Sequence, residues 1–171
     1  LGKPAVVAER IDPAMHLASV PLPWRLLRRL LYRRAAAVTV QTEAAAVWLR
    51  HECRMTVHVI PNSLRQLPSA VTPREELVLS VGRLDQQKGH DVLLRAFATV
   101  APAFPTWRLA IAGDGPQREG LRALGESLGI AAQVDWIGVT KQVEACYARA
   151  SIVAMASRYE GFPNVLLEAM G

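Results

Sequence analysis

The sequence has 171 residues, 51% of them apolar and 20% charged, with a formal net charge of +5. That length holds one sizeable core or parts of two domains, and the composition suits a globular α/β protein and excludes a disordered one. No apolar run is long enough to span a bilayer.

The charge is uneven. Residues 1–72 hold ten Lys/Arg against four Asp/Glu, and residues 73–171 hold ten against eleven. The basic character therefore belongs to the first part. The chain starts at Leu1 rather than Met and stops at Gly171 inside an apparent helix, so it reads as a piece of a longer protein. No signal peptide is visible. Cys53 and Cys146 match no metal or redox spacing and read as reduced, partly buried thiols. Such thiols point to a cytosolic chain.

In chain order, Ala5–Ala8 is a short apolar run consistent with a strand. Trp24, Leu27, Leu30 and Leu31 recur at helical spacing and predict a helix over Trp24–Ala37. Val38–Gln41 predicts a strand. Ala44–Arg50 predicts a helix with Thr42 as its N-cap. Thr56–Ile60 alternates Val57 and Val59 and predicts a strand. Residues 63–75, with Ser63, Pro68, Ser69, Thr72 and Pro73, read as an interdomain linker. Residues 1–62 are then the end of one domain and 76–171 most of another.

The second part alternates more regularly. Strands are predicted at Leu77–Val81, Trp107–Ala112, Val134–Ile137 and Ile152–Ala156. Helices are predicted at His90–Val100, Gln117–Leu128 with Gly129 as a cap, Lys141–Arg149, and from Pro163 onward. Proline is preorganised for a first helical position. The last helix carries an apolar stripe of Val165, Leu166, Ala169 and Met170. Continuous apolar strands alternating with helices imply a parallel, doubly wound sheet with Rossmann-like topology. Ligands on such sheets bind beyond the carboxyl ends of the strands.

The unusual residues cluster at those ends. Gly82-Arg83 and Lys88-Gly89 flank one strand-to-helix loop, where two cations near a helix N-terminus suit a diphosphate. The spacing is neither a Walker loop nor a dinucleotide fingerprint. Gly113-Asp114-Gly115-Pro116 reads as a tight turn needing glycine, with Asp114 able to cap the next helix. Gly138-Val139-Thr140 reads either as a plain loop or as backbone for a base edge. Glu160 and Glu168 bracket Gly161-Phe162-Pro163-Asn164-Val165, offering acceptors for hydroxyls beside helix N–H groups that favour an anion. His90, at a helix start, reads as structural or solvated. His16, His51, His58 and His90 form no ligand spacing, and no Asp-x-Asp occurs, so no metal site is expected.

Trp24–Arg34 is a basic amphipathic segment. It reads as a surface helix with a solvated Arg face, or as a face for anionic lipid headgroups. No nucleic-acid-binding module accompanies it.

Taken together, Gly82-Arg83, Lys88-Gly89, Gly113-Asp114-Gly115-Pro116, Gly138, and Glu160 with Glu168 resemble the C-terminal half of retaining glycosyltransferases of family 4, which have the GT-B fold. Ile60-Pro61-Asn62-Ser63 resembles the end of that family's N-terminal domain. The resemblance implies transfer of a sugar from a nucleoside-diphosphate-sugar, UDP-linked by default, to a glycan or lipid-linked acceptor, with retention and without a metal or bound cofactor. It implies that Arg83 and Lys88 bind the donor diphosphate and that Glu160 meets the donor sugar. Glu168 would bind the ribose, and the amides of Gly161, Phe162, Asn164 and Val165, with Pro163 shaping the turn, would face sugar and diphosphate. Gly82, Gly138 and Thr140 complete the expected donor site. A cytoplasmic enzyme of surface polysaccharide or glycoconjugate synthesis is expected, at the inner face of the membrane if the basic segment binds anionic lipid. The fragment alone is expected to be inactive. Rivals are an epimerase or phosphorylase on the same fold, or a non-catalytic nucleotide-sugar-binding module.

Overall fold

The computed structural model describes residues 4–10, 20–63 and 73–170. His16 and residues 64–72 of the predicted linker lie outside the described residues. The chain divides into two compact units: Leu1–Ser63 with Tyr159–Pro163, and Leu64–Arg158 with Asn164–Gly171.

In the first unit, β1 (Val6–Ala8), β2 (Ala37–Val40) and β3 (Val57–Val59) form a parallel sheet in that order. The crossovers are α1 (Leu22–Tyr32) and α2 (Glu43–Cys53). Val38, Val40, Ala46, Leu49 and Val57 are buried between α2 and the sheet. Thr42 caps α2 as predicted, its hydroxyl accepting from the Ala45 N–H at 3.2 Å. Burial pushes the Cys53 thiol up.

Helix α1 differs from the prediction at both ends. It starts earlier because Pro23 is tolerated in a first turn, where its missing N–H has no partner to lose. It stops at Tyr32, and Ala37 joins β2 opposite Val6. Sheet pairing here overrides the helical preference of the alanine run. Arg25, Arg29, Arg33 and Arg34 are exposed, as a solvated Arg face requires, and Arg28 is the exception. Arg28 turns inward, paired with Glu9 at 3.2 Å and lying over the Tyr32 ring. Tyr32 donates to the same carboxylate at 2.7 Å. Burial, reinforced by Glu9, pushes the Tyr32 phenol up to about 12. Trp24, Leu26 and Leu30 face outward, 63%, 54% and 61% exposed.

In the second unit, four parallel strands run in the order β6-β5-β4-β7: β4 (Glu75–Val81), β5 (Arg108–Ala112), β6 (Val134–Gly138) and β7 (Ala150–Val153). Between and after them come α3 (His90–Val100), α4 (Arg118–Ser127), α5 (Val143–Arg149) and α6 (Asn164–Met170). The strands' two-residue period divides the core. Leu109 and Ile111 join Leu94, Phe97 and Leu121 on one face. Leu77, Leu79, Ala110 and Ala112 join Tyr147 on the other, with Val165 and Ala169 packed against them. Each fully buried Leu or Ile contributes roughly 1.5–3 kcal/mol. The sheet is therefore doubly wound, with α3 and α4 over one face and α5 and α6 over the other.

Local expectations change at several points, and β4 begins at Glu75, inside the predicted linker. Strand β7 ends at Val153, not Ala156. Pro163 stands immediately before α6 rather than at its first position. Met170 is exposed and takes no part in the apolar stripe.

Candidate functional site

The loop after β4 is built around Asp85. Its carboxylate accepts from the Lys88 N–H at 3.2 Å, capping a short 3-10 turn over Gln86–Lys88, and from the Arg83 guanidinium at 2.7 Å. Burial alone would raise the Asp85 carboxyl. Arg83 and the Lys88 N–H outweigh it and hold the carboxyl below its usual range. Asp85 thus fixes the loop that carries both predicted cations. A capping residue three positions before Lys88 is the sequence signal that would have found it. The Arg83 side chain stays largely exposed, and the stem of Lys88 runs alongside Gly82.

The neighbouring loops are tied to one another by main-chain hydrogen bonds. Gly82 donates to Ala112 at 3.0 Å, Gly113 to Gly138 at 2.8 Å, and Gln117 to Leu84 at 3.0 Å. Gly113 has φ +146°, and a Cβ there would overlap the Gly82 carbonyl. Glycine at 113 is a requirement of this close approach. Asp114 does not cap α4. It accepts from the Gly115 N–H at 2.8 Å and from Arg118 at 3.1 Å, and α4 has no side-chain cap.

Gly82, Gly138 and Thr140, three of the predicted donor-site residues, line one shallow cavity of about 180 Å³ with Val139 and Val143. Nothing stands near Gly138 where a side chain would be. A larger cavity, of about 440 Å³, lies beside Gln86, Asp91, Gln117 and Arg158 and includes none of the predicted residues. Its Arg158 is already committed to Asp91. Size alone assigns it no ligand.

The bracketing carboxylates fall in different units. Glu160, with Gly161, Phe162 and Pro163, belongs to the first, whereas Asn164, Val165 and Glu168 lie on α6 of the second. Glu168 accepts from the Tyr147 hydroxyl at 3.0 Å. Burial and this carboxylate push the Tyr147 phenol far above its ordinary value. His90, read as structural or solvated, is structural: it is 2% exposed, and neither ring nitrogen has a protein partner. Burial lowers its value by disfavouring the charged imidazolium. Among the described residues, no three His, Cys, Asp or Glu stand together as a metal site.

Parallel sheets covered by helices in this way match the GT-B fold of glycosyltransferases, and solved structures of that fold superpose on the chain. Staphylococcus aureus TarM, crystallised with fondaparinux, α-GlcNAc-glycerol and UDP, matches 98% of this chain and 35% of its own at a TM-score of 0.85 and 17% identity. Anabaena HepE, in complex with UDP and glucose, matches 98% of this chain and 50% of its own at 0.82 and 20% identity. The sequence model of the family described as "Glycosyl transferases group 1" matches residues 66–171. This chain belongs to that family.

Two relatives extend the comparison. An uncharacterized glycosyltransferase of Haemophilus influenzae is 36% identical over 64% of this chain and 31% of its own length. The Campylobacter jejuni GalNAc-alpha-(1->4)-GalNAc-alpha-(1->3)-diNAcBac-PP-undecaprenol alpha-1,4-N-acetyl-D-galactosaminyltransferase is 32% identical over 99% of this chain and 47% of its own. The chain thus spans less than half the length of these curated relatives.

Proposed function

We propose that the whole protein is a retaining, metal-independent glycosyltransferase of family 4, moving sugar from a UDP-sugar to a glycan or lipid-linked acceptor. The observation that carries this reading is the Asp85-braced loop, which presents Arg83 and Lys88 at the carboxyl edge of the sheet that also holds the Gly138–Thr140 cavity. The two cations bind the donor diphosphate and stabilise the charge that grows on it as the glycosidic bond breaks. The cavity takes the base. Glu168 accepts from the ribose hydroxyls. Glu160 stands beside the reacting carbon as a stabiliser rather than a nucleophile, with the acceptor oxygen bonding to that carbon on the same face from which the nucleoside diphosphate leaves. The C. jejuni relative, named for an undecaprenol-linked acceptor, supports a lipid-linked acceptor, and the Anabaena protein in complex with UDP and glucose supports a UDP donor.

The setting we propose is surface polysaccharide or glycoconjugate synthesis at the cytoplasmic face of the membrane. No helix among the described residues is long and apolar enough to cross a membrane. Association would instead run through the outward apolar residues of α1, its exposed Arg25 and Arg29, and the exposed Arg33 and Arg34 that follow it. A thermal-shift screen of the full-length protein against UDP-, GDP- and ADP-sugars tests the donor. A true donor at 100 times its dissociation constant adds about 2.7 kcal/mol, and the absence of any shift across the panel overturns the reading.

A further inference from the structure

Tyr147 lies on α5, packed on one face of the second sheet, and is 7% exposed. Its ring fills the core between Leu77, Leu79 and the inner side of α6. Packing alone would be met by phenylalanine. The hydroxyl is the added element. Buried there, it must find an acceptor or lose its hydration without return. Its acceptor is the Oε2 of Glu168, at 3.0 Å.

That bond has a directional consequence. A glutamate on a helix surface samples many rotamers, and a ligand that needs one of them must bear the ordering cost on binding. A buried phenol, rigid at two torsions and fixed by its core contacts, holds the carboxylate in one orientation before any ligand arrives. Bonds to an ionised acceptor are stronger than neutral ones, so the hold is firm. Such preorganisation turns a flexible acceptor into a fixed one.

We infer that Tyr147 is a positioning residue for nucleotide recognition, holding the Glu168 carboxylate in the orientation that accepts a ribose diol. The inference rests on the ribose role given to Glu168 above. It makes discrimination between ribose and deoxyribose a property of two residues, one of which never touches the ligand. It also gives α5, whose Val143 lines the cavity proposed for the base, a second part in donor selection.

Calorimetric titration of the full-length protein with UDP and with 2′,3′-dideoxy-UDP provides the test, on the wild type, Tyr147→Phe, Glu168→Ala and the double variant. Tyr147→Phe removes one oxygen and keeps the ring, and circular dichroism checks that its fold is retained. Tyr147→Phe is expected to weaken UDP about fivefold while leaving the dideoxy compound unchanged. Glu168→Ala should abolish the preference for UDP, and the double variant should match Glu168→Ala alone. A merely structural role for Tyr147 would weaken both compounds alike, and that result overturns the proposal. So does an unchanged preference in Tyr147→Phe when Glu168→Ala has lost it. If Glu168→Ala keeps the preference, the ribose role of Glu168 itself fails and the proposal goes with it.

Discussion

Arg158 and Asp91, 67 residues apart in sequence, form a bidentate pair, with N–H···O distances of 2.9 and 2.7 Å. Arg158 also donates to the Gln86 carbonyl at 2.7 Å, and its own N–H donates to Gln87 at 2.8 Å. The segment after β7 is thereby fastened to the turn that carries Lys88 and to the first turn of α3. Arg158 lowers the Asp91 carboxyl from its ordinary value.

Gly89 sits under the same junction with φ +63°, and a Cβ there would overlap the Ala156 carbonyl. Gly89→Ala is therefore expected to cost roughly 1–3 kcal/mol of stability, because backbone must move in a left-handed conformation that alanine resists. Arg158→Ala should cost less, since its ion pair is exposed to solvent. Urea denaturation of both variants checks the order. Equal midpoints for Gly89→Ala and wild type would refute the steric account.

His90 makes stability depend on pH in a defined direction. Burial lowers its value; Asp85 and Asp91 pull the other way without prevailing. Below about pH 6.5 the unfolded chain takes up a proton that the folded chain refuses. Stability accordingly falls as the pH drops through that window and is level above it. The limiting slope is about 1.4 kcal/mol per pH unit for one proton. His90→Asn should flatten the curve between pH 5 and 6.5, measured by urea unfolding. A variant with the wild-type slope would assign the dependence to another group.

The two glutamates should separate in kinetics. Glu168→Ala is expected to raise the donor dissociation constant about tenfold. Glu160→Ala should lower kcat by about a hundredfold with a smaller effect on binding. Titration of the donor and steady-state assays of the whole protein distinguish them, and the reverse pattern would exchange their roles.

Helix α1 predicts a salt-sensitive affinity for anionic membranes. The full-length protein should sediment with vesicles containing phosphatidylglycerol and less with pure phosphatidylcholine. Leu26→Glu with Leu30→Glu should abolish the difference, since both side chains point outward. Equal recovery in the supernatant with either lipid, at low and high salt, would rule this surface out.

The sequence made much of this fold legible where local and global preferences agree. Helix α3 begins and ends where its apolar spacing predicts, and Thr42 caps α2 as its type and position require. Boundaries failed where a neighbour decided the outcome: Ala37 is a strand residue because Val6 is beside it. The loops after β4, β5 and β6 were legible because glycine and cations punctuate apolar strands. Asp85, Tyr147 and the burial of His90 were not, because each depends on what lies opposite in space. No periodicity encodes a tyrosine on one helix meeting a glutamate 21 positions on.

The bonds joining the loops after β4, β5 and β6 run from main chain to main chain, through Gly82 and Ala112, Gly113 and Gly138, and Leu84 and Gln117. The exposed Val139 side chain hangs from this lattice without holding it up. Substitution there changes what the rim offers a ligand while the rim keeps its shape. The edge works as an interchangeable face on a permanent mount, and what it binds can change without a new fold having to be found.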